Sequence, residues 1–220
     1  MTPPTTANPD SDAASDSTRD RIVAAATAEF SRYGIAGARI ERIAKAAKTS
    51  KERVYAHFRS KEALYRFVAE QELAAVAEAT RLDPGDLPEY AGRLHDYFMA
   101  HPDRLRLMTW GRLELADSST GADTDTSAAA DPTLAVMRYK VGQIRAAQDA
   151  GLLDPAWDPI DILVFLNQIA TAWAGQMDLV HAGGDQVRDP AVTARRAAVV
   201  AAVARLFPAA APRSTSNSAD

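Results

Sequence analysis

From Ile22 to Leu206, apolar side chains recur at spacings of three and four, and no segment of useful length alternates apolar with polar residues. That pattern argues against a half-buried sheet and for helices that bury one stripe each. β-Branched clusters are scarce outside helical spacing, and alanine, the strongest helix former, is abundant. The chain therefore reads as all-α.

Start and stop signals divide it into about nine helices. The first runs from about Thr18 to Tyr33 and sets Ile22, Ala26, Phe30 and Tyr33 on one stripe, with Ser17 or Thr18 as N-cap and Gly34 as the stop. A short helix over Ile40 to Ala47 buries Ile40, Ile43, Ala44 and Ala47. After a tight turn at Ala47-Lys48-Thr49, a third covers Ser50 to Phe58, capped by Thr49 or Ser50. The fourth opens at Ser60, carries Glu62 in its first turn and continues to about Thr80. Leu82-Asp83-Pro84-Gly85-Asp86 breaks the pattern and is read as a domain boundary. Five more helices follow: Leu87 to His101, Pro102 to Ala116, Pro132 to Ala150, Pro159 to His181, and Pro190 to Phe207. Residues 1–17 and 208–220 read as disordered tails, and 117–130 as a low-complexity loop. The expected organisation is an N-terminal domain over 18–81 and a larger helical one over 82–207.

The 220 residues are 47% hydrophobic, enough to supply a core, and contain no cysteine. That excludes disulfides, thiolate catalysis and cysteine-based zinc sites. No signal peptide is evident, and no segment reaches the roughly 20 apolar residues that span a bilayer. The richest, Ile160 to Ala174, contains Asp161, Asn167 and Gln168. The expectation is a cytoplasmic protein with no membrane partner.

Charge is uneven. Between Arg39 and Lys61 lie Arg39, Arg42, Lys45, Lys48, Lys51, Arg53, Arg59 and Lys61 against only Glu41 and Glu52, a surplus of six in a chain of net charge −4. A short basic segment on an acidic body suits nucleic-acid binding by one small face, although a solvated helix face would also carry such charge. The same segment holds the two short helices joined by a three- to four-residue turn, which is helix-turn-helix geometry. Ala44 and Ala47 are small enough for the second helix to cross closely, and Val54 and Phe58 can anchor it. Arg53 can donate two hydrogen bonds to guanine, and Glu52 can accept one from cytosine. Tyr55, His57 and Lys61 suit phosphate oxygens.

Arg19 to Leu73 resembles the DNA-binding domain of the TetR family of bacterial regulators. The matching pieces are Ile22, Ala25-Ala26, Phe30 and Gly34, then Ile43-Ala44 and Ala47. Most diagnostic are Ser50-Lys51, Val54-Tyr55, His57-Phe58, Ser60-Lys61-Glu62 and Leu64 at their fixed spacing. The resemblance implies phosphate contacts for Tyr55, His57 and Lys61, and base or phosphate contacts for Lys51 and Arg53. It further implies a C-terminal ligand-binding domain that dimerises through its last two helices. Five positions depart from the family pattern, one of them Arg53, which stands where a small residue is usual. Lys48 stands where glycine is usual, and Thr49 where an apolar residue is usual. Ala38-Arg39 replaces the Thr/Ser pair that caps the second helix, so Arg39 keeps a phosphate contact by charge while the cap is lost. The candidate DNA-contacting set is Arg39, Lys48, Thr49, Ser50, Lys51, Glu52, Arg53, Tyr55, His57 and Lys61.

Beyond residue 82, aromatic and methionine side chains gather among a few polar ones. Phe98, Met108, Trp110, Tyr139, Phe165, Gln168, Trp173 and Met177 are the candidate lining of an effector pocket, with plain core as the competing reading. The stretch Ile160 to Val180 is apolar nearly all round and needs cover on both sides. The four histidines are dispersed, and no metalloprotease, nucleophile-elbow, P-loop or dinucleotide-binding pattern appears. No catalytic residue, cofactor or metal is expected. A single-stranded or architectural binder is also disfavoured, because aromatics do not interleave with the basic run. The sequence thus predicts a dimeric regulator of double-stranded operator DNA, a repressor released by a small molecule.

Overall fold

The computed structural model describes residues 9–116 and 132–208, and helices are the only regular elements among them. In chain order these are α1 (Pro9–Gly37), α2 (Ile40–Ala46), α3 (Lys51–His57), α4 (Lys61–Ala79), α5 (Leu87–Ala100), α6 (Pro102–Ala116), α7 (Pro132–Asp149), α8 (Pro159–Thr171), α9 (Asp178–Gly183) and α10 (Val192–Leu206). A 3₁₀ turn over Gly184–Gln186 follows α9. No helix among the described residues is long and apolar enough to cross a membrane. The low-complexity segment expected at 117–130 and the C-terminal tail from residue 209 lie outside the described residues.

The chain divides into two compact units. Unit 1 takes the sequence up to Leu73 together with α6 from Asp103 onward. Unit 2 takes Ala74–Pro102 and the C-terminal helices from α7. The boundary anticipated at residue 82 therefore falls inside α4, and α6 groups with the N-terminal unit. The reason is packing: Leu107 of α6 is fully buried in the same core as Ile22, Phe30, Val54 and Val68. Tyr65 of α4 edges onto Phe30 and donates its hydroxyl to the Leu107 carbonyl at 2.8 Å.

Helix α1 starts at Pro9, ahead of the anticipated Thr18, with proline at its first position. Ser17 and Thr18 are therefore helical rather than capping; their hydroxyls accept from the Arg21 guanidinium one turn later. Gly34, at φ 69°, breaks the helical path where a stop is expected. A Cβ there would overlap the Glu114 carboxylate and press on the Trp110 ring, so glycine is required on two counts.

In unit 2, Asp86 caps α5 by accepting from the Glu89 amide, and Asp158 caps α8 by accepting from that of Ile160. Helix α5 is buried nearly all round and packs against α8 and α10, while α7 packs on α8. Arg196 of α10 lies over Gly92 and reaches Asp96 and Glu89 of α5, each at 2.7 Å. The single helix anticipated over 159–181 is instead broken after Thr171. There the Thr171 hydroxyl bonds back to the Asn167 carbonyl, and Gly175 takes φ 80°. Back-bonding and a left-handed glycine both divert the chain from continuous helix.

Candidate nucleic-acid interface

Helix α3 is seven residues long and buries one of them, Val54, which is fully inaccessible. Phe58, the residue that ends the helix, is buried beside it and packs on Phe67. Ile40, Ile43, Ala44 and Ala47 of α2 and the following turn complete the seat on which α3 rests. Ser50 accepts from the Arg53 amide as N-cap, and Ser60 accepts from the Ala63 amide at the start of α4. Once anchored at Val54 and Phe58, α3 presents Lys51, Glu52, Arg53, Tyr55 and Ala56 to solvent, with His57 half-buried at its end.

The turn before α3 adopts the geometry anticipated for it. Lys48 has φ 53° and is the one non-glycine residue with positive φ among those described. An ordinary side chain there costs about 1 kcal/mol relative to glycine. Its ammonium is exposed. The Thr49 amide donates to the Ala44 carbonyl and is thereby occupied. Arg39 is extended, exposed and makes no side-chain cap, as its residue type implies.

The function of the missing cap passes to a residue not visible as a candidate in the sequence. Glu29, buried on α1, accepts from the Arg39 amide at 2.9 Å and from the Arg42 guanidinium. Arg42 also donates to the Gly37 carbonyl and stacks on the Tyr33 ring at 4.3 Å. On the other side, Glu114 of α6 accepts from the Ile35 and Ala36 amides. Lys61, at the start of α4, donates to the Ala36 and Ala38 carbonyls at 3.3 Å each. Lys61 is therefore half-buried and folded back on the segment ahead of α2, with a third N–H to offer outward.

These restraints shape an open groove bounded by Arg39 and Glu41 at the start of α2, Tyr55 on α3, and Arg59, Ser60 and Lys61 leading into α4. Arg59 entered the sequence reading as charge alone, yet it stands beside Tyr55, which is 41% exposed. The α4 N-terminus adds free amides and the positive end of its dipole. Lys51 is paired with Glu41; the pair holds the carboxyl below its ordinary range and the ammonium above, so both stay charged at neutral pH. Arg53 and Lys48 form no ion pair with a described residue. Of the ten candidate DNA-contacting residues, Arg39, Tyr55 and Lys61 line this groove, and all ten are exposed except Thr49, His57 and Lys61, which are half-buried. They combine planar and point cations, a phenol and backbone amides, which is a donor set for phosphate and base edges.

The candidate effector residues are not brought together in the same way. Phe98 and Met177 line one open apolar pocket of unit 2 with Met99, Ala174 and Asp178. Trp173 is half-buried beneath the Arg195 guanidinium at 4.8 Å. Met108 and Trp110 belong to unit 1, where Trp110 packs beside Gly34. Tyr139 is 68% exposed, and Phe165 and Gln168 lie on the exposed face of α8 with Ile160 and Val164. Helical spacing identifies a stripe but not which neighbour covers it.

Residues 22–68 match the family model described as "Bacterial regulatory proteins, tetR family", and residues 86–205 match "Tetracyclin repressor-like, C-terminal domain". The HTH-type transcriptional repressor SCO4008 of Streptomyces coelicolor is 34% identical over 189 residues, covering 82% of this chain and 94% of its own. The HTH-type transcriptional repressor NicS of Pseudomonas putida is 39% identical over 101 residues, or 42% of this chain and 47% of its own. Among solved structures, SCO4942 of Streptomyces coelicolor is 59% identical. It superposes with a TM-score of 0.74 over 87% of this chain and 98% of its own.

Proposed function

The chain belongs to the TetR family of bacterial regulators, and on that footing we propose that it is a transcriptional repressor which reads a palindromic operator as a homodimer. The observation that carries this reading is α3 itself: one fully buried side chain, and a row of exposed Lys51, Glu52, Arg53 and Tyr55. A helix held that way enters a major groove, and a two-fold dimer sets two such helices about 34–36 Å apart. Arg53 reads a base, Tyr55, Arg39 and Arg59 hold phosphates, and Lys61 fixes the segment ahead of α2 while lending one N–H to the backbone. Such a regulator works in the cytoplasm, beside the chromosome.

The dimer forms through α8 and α10. Ile160, Val164 and Phe165 of α8 are exposed apolar residues on one face, and α10 exposes Ala197, Ala198 and Ala202. Small residues permit close helix approach, and the larger ones supply apolar area, which together suit an isologous contact. A small molecule held by unit 2 binds the released form more tightly and so lowers operator affinity.

Selection of bound fragments from random duplexes tests the reading. One palindrome should emerge, and affinity for it should fall steeply with salt. Recovery of no preferred sequence, or no duplex binding even at low ionic strength, rejects it.

A further inference from the structure

Helix α7 buries Ile144 and Ala147 on its inner face, and one turn before Ile144 that face carries a lysine. Lys140 is 7% exposed at a position where an amphipathic helix ordinarily places an apolar residue. It takes part in no ion pair among the described residues. Its one hydrogen-bond partner among them is the hydroxyl of Tyr90 on α5, at 3.0 Å, with the ammonium 5.3 Å from that ring's centre. Tyr90 is itself fully buried. The other buried polar side chains of unit 2 are Thr80, His95 and Gln148, none of which carries negative charge. They are engaged with the Val76, Ala170, Asp154 and Trp157 carbonyls.

The donors and acceptors of this pair do not balance. The ammonium has three N–H groups and no acceptor, and one N–H is spent on Tyr90. The phenol oxygen accepts that bond, so its own O–H points elsewhere, and no described residue receives it. The outcome is a cluster of donors with a net positive charge inside an apolar unit. Buried charges are ordinarily paired, and this one has no counter-ion among the described residues. A singly charged, planar acceptor satisfies both groups together: one carboxylate oxygen takes an ammonium N–H while the other takes the phenol O–H. The surroundings fix the rest of the ligand. Leu87, Leu94 and Ile144 are fully or almost fully buried nearby along the same helices, and a single cation matches a monoanion. Met137, half-buried one turn before Lys140, is unbranched and can repack to admit it.

We propose that Lys140 and Tyr90 form the binding site for the carboxylate of a small apolar acid in unit 2. This deepens the reading of unit 2 as effector-binding and rests on it for its regulatory consequence, though not for the binding itself.

The full-length protein is titrated with octanoate and benzoate, and with octan-1-ol and benzyl alcohol as uncharged counterparts, by calorimetry and thermal unfolding. At least one carboxylate should bind the wild type and raise its Tm. Affinity for it should fall tenfold or more in Lys140→Met and severalfold in Tyr90→Phe, while the alcohols discriminate little between the proteins. Without ligand, Lys140→Met should melt at the wild-type temperature or above, because an uncompensated cation has been replaced by an apolar chain of similar length. The proposal is overturned if neither carboxylate binds, or if binding is unchanged in Lys140→Met. Should that variant not fold, unchanged binding in Tyr90→Phe overturns it equally. Operator affinity followed in the same titration separates the two readings. Carboxylate bound through Lys140 without operator release leaves the site standing and removes its effector role. Release that persists in Lys140→Met does the opposite.

Discussion

The two units treat buried charge in opposite ways. In unit 1 the buried carboxylate of Glu29 is bonded to the Arg39 amide and to Arg42, and the buried Tyr65 hydroxyl donates to the Leu107 carbonyl. Each such bond ties a side chain of one helix to another element, and the segment from Gly34 to Arg39 is gripped by Glu114, Lys61 and Glu29 at once. In unit 2 the Lys140 ammonium meets only a phenol among the described residues. Satisfied networks specify a single geometry, whereas unmet donors and acceptors await something from outside. A reading face has to be rigid before its target arrives; a sensing unit has to be incomplete.

This contrast can be broken most forcefully at Glu29. Glu29→Ala should lower the stability of unit 1 by about 2 kcal/mol, because the Arg39 amide loses a charge-assisted partner inside the fold. Amide exchange over residues 35–47 should report it. An effect of the same size from Lys140→Met would erase the distinction between the units. At Arg53, replacement by alanine should weaken operator binding by roughly 1–3 kcal/mol and relax preference at one base pair, seen in the selected-sequence profile. An unchanged profile would remove its base-reading role.

Tyr65→Phe should cost about 1 kcal/mol, the worth of one buried neutral hydrogen bond. Burial, with the Glu114 charge adding to it, pushes this phenol up to about 12 from an ordinary value near 10. A folded value above the unfolded one means that its contribution is complete below pH 10 and disappears as pH rises through 12. Alkaline melting followed beside phenolate absorbance should therefore show one late-titrating tyrosine fewer in the variant than in the wild type. The smallest effect is expected at Lys48. Lys48→Gly should relieve the left-handed backbone and raise stability by about 0.5–1 kcal/mol, while removing one exposed cation and making DNA binding less salt-dependent. A loss of stability there would mean that the lysine side chain supports the turn.

The helix-turn-helix was legible because its determinants are local. Ser50 and Ser60 cap as their residue types dictate, and Lys48 and Arg39 show the strained turn and the missing cap that their substitutions imply. What escaped the sequence depends on distant partners. Glu29 reaches a residue ten positions on, Lys61 one 25 positions back, and Glu114 one 79 positions back. No periodicity encodes those pairings. That α6, with Trp110 and Met108, keeps company with the N-terminal core was illegible for the same reason. The break after Thr171 had a local signal in Gly175, but the surrounding apolar run masked it.

That α3 depends on so little of itself for its fold has an evolutionary side. With Val54 and Phe58 as its fastenings and the rest facing water, substitutions at 51, 52, 53 and 55 leave the scaffold's stability nearly untouched. What those positions contact can therefore change by substitution without a redesign of the fold, in descendants of one ancestral protein or at an engineer's hand.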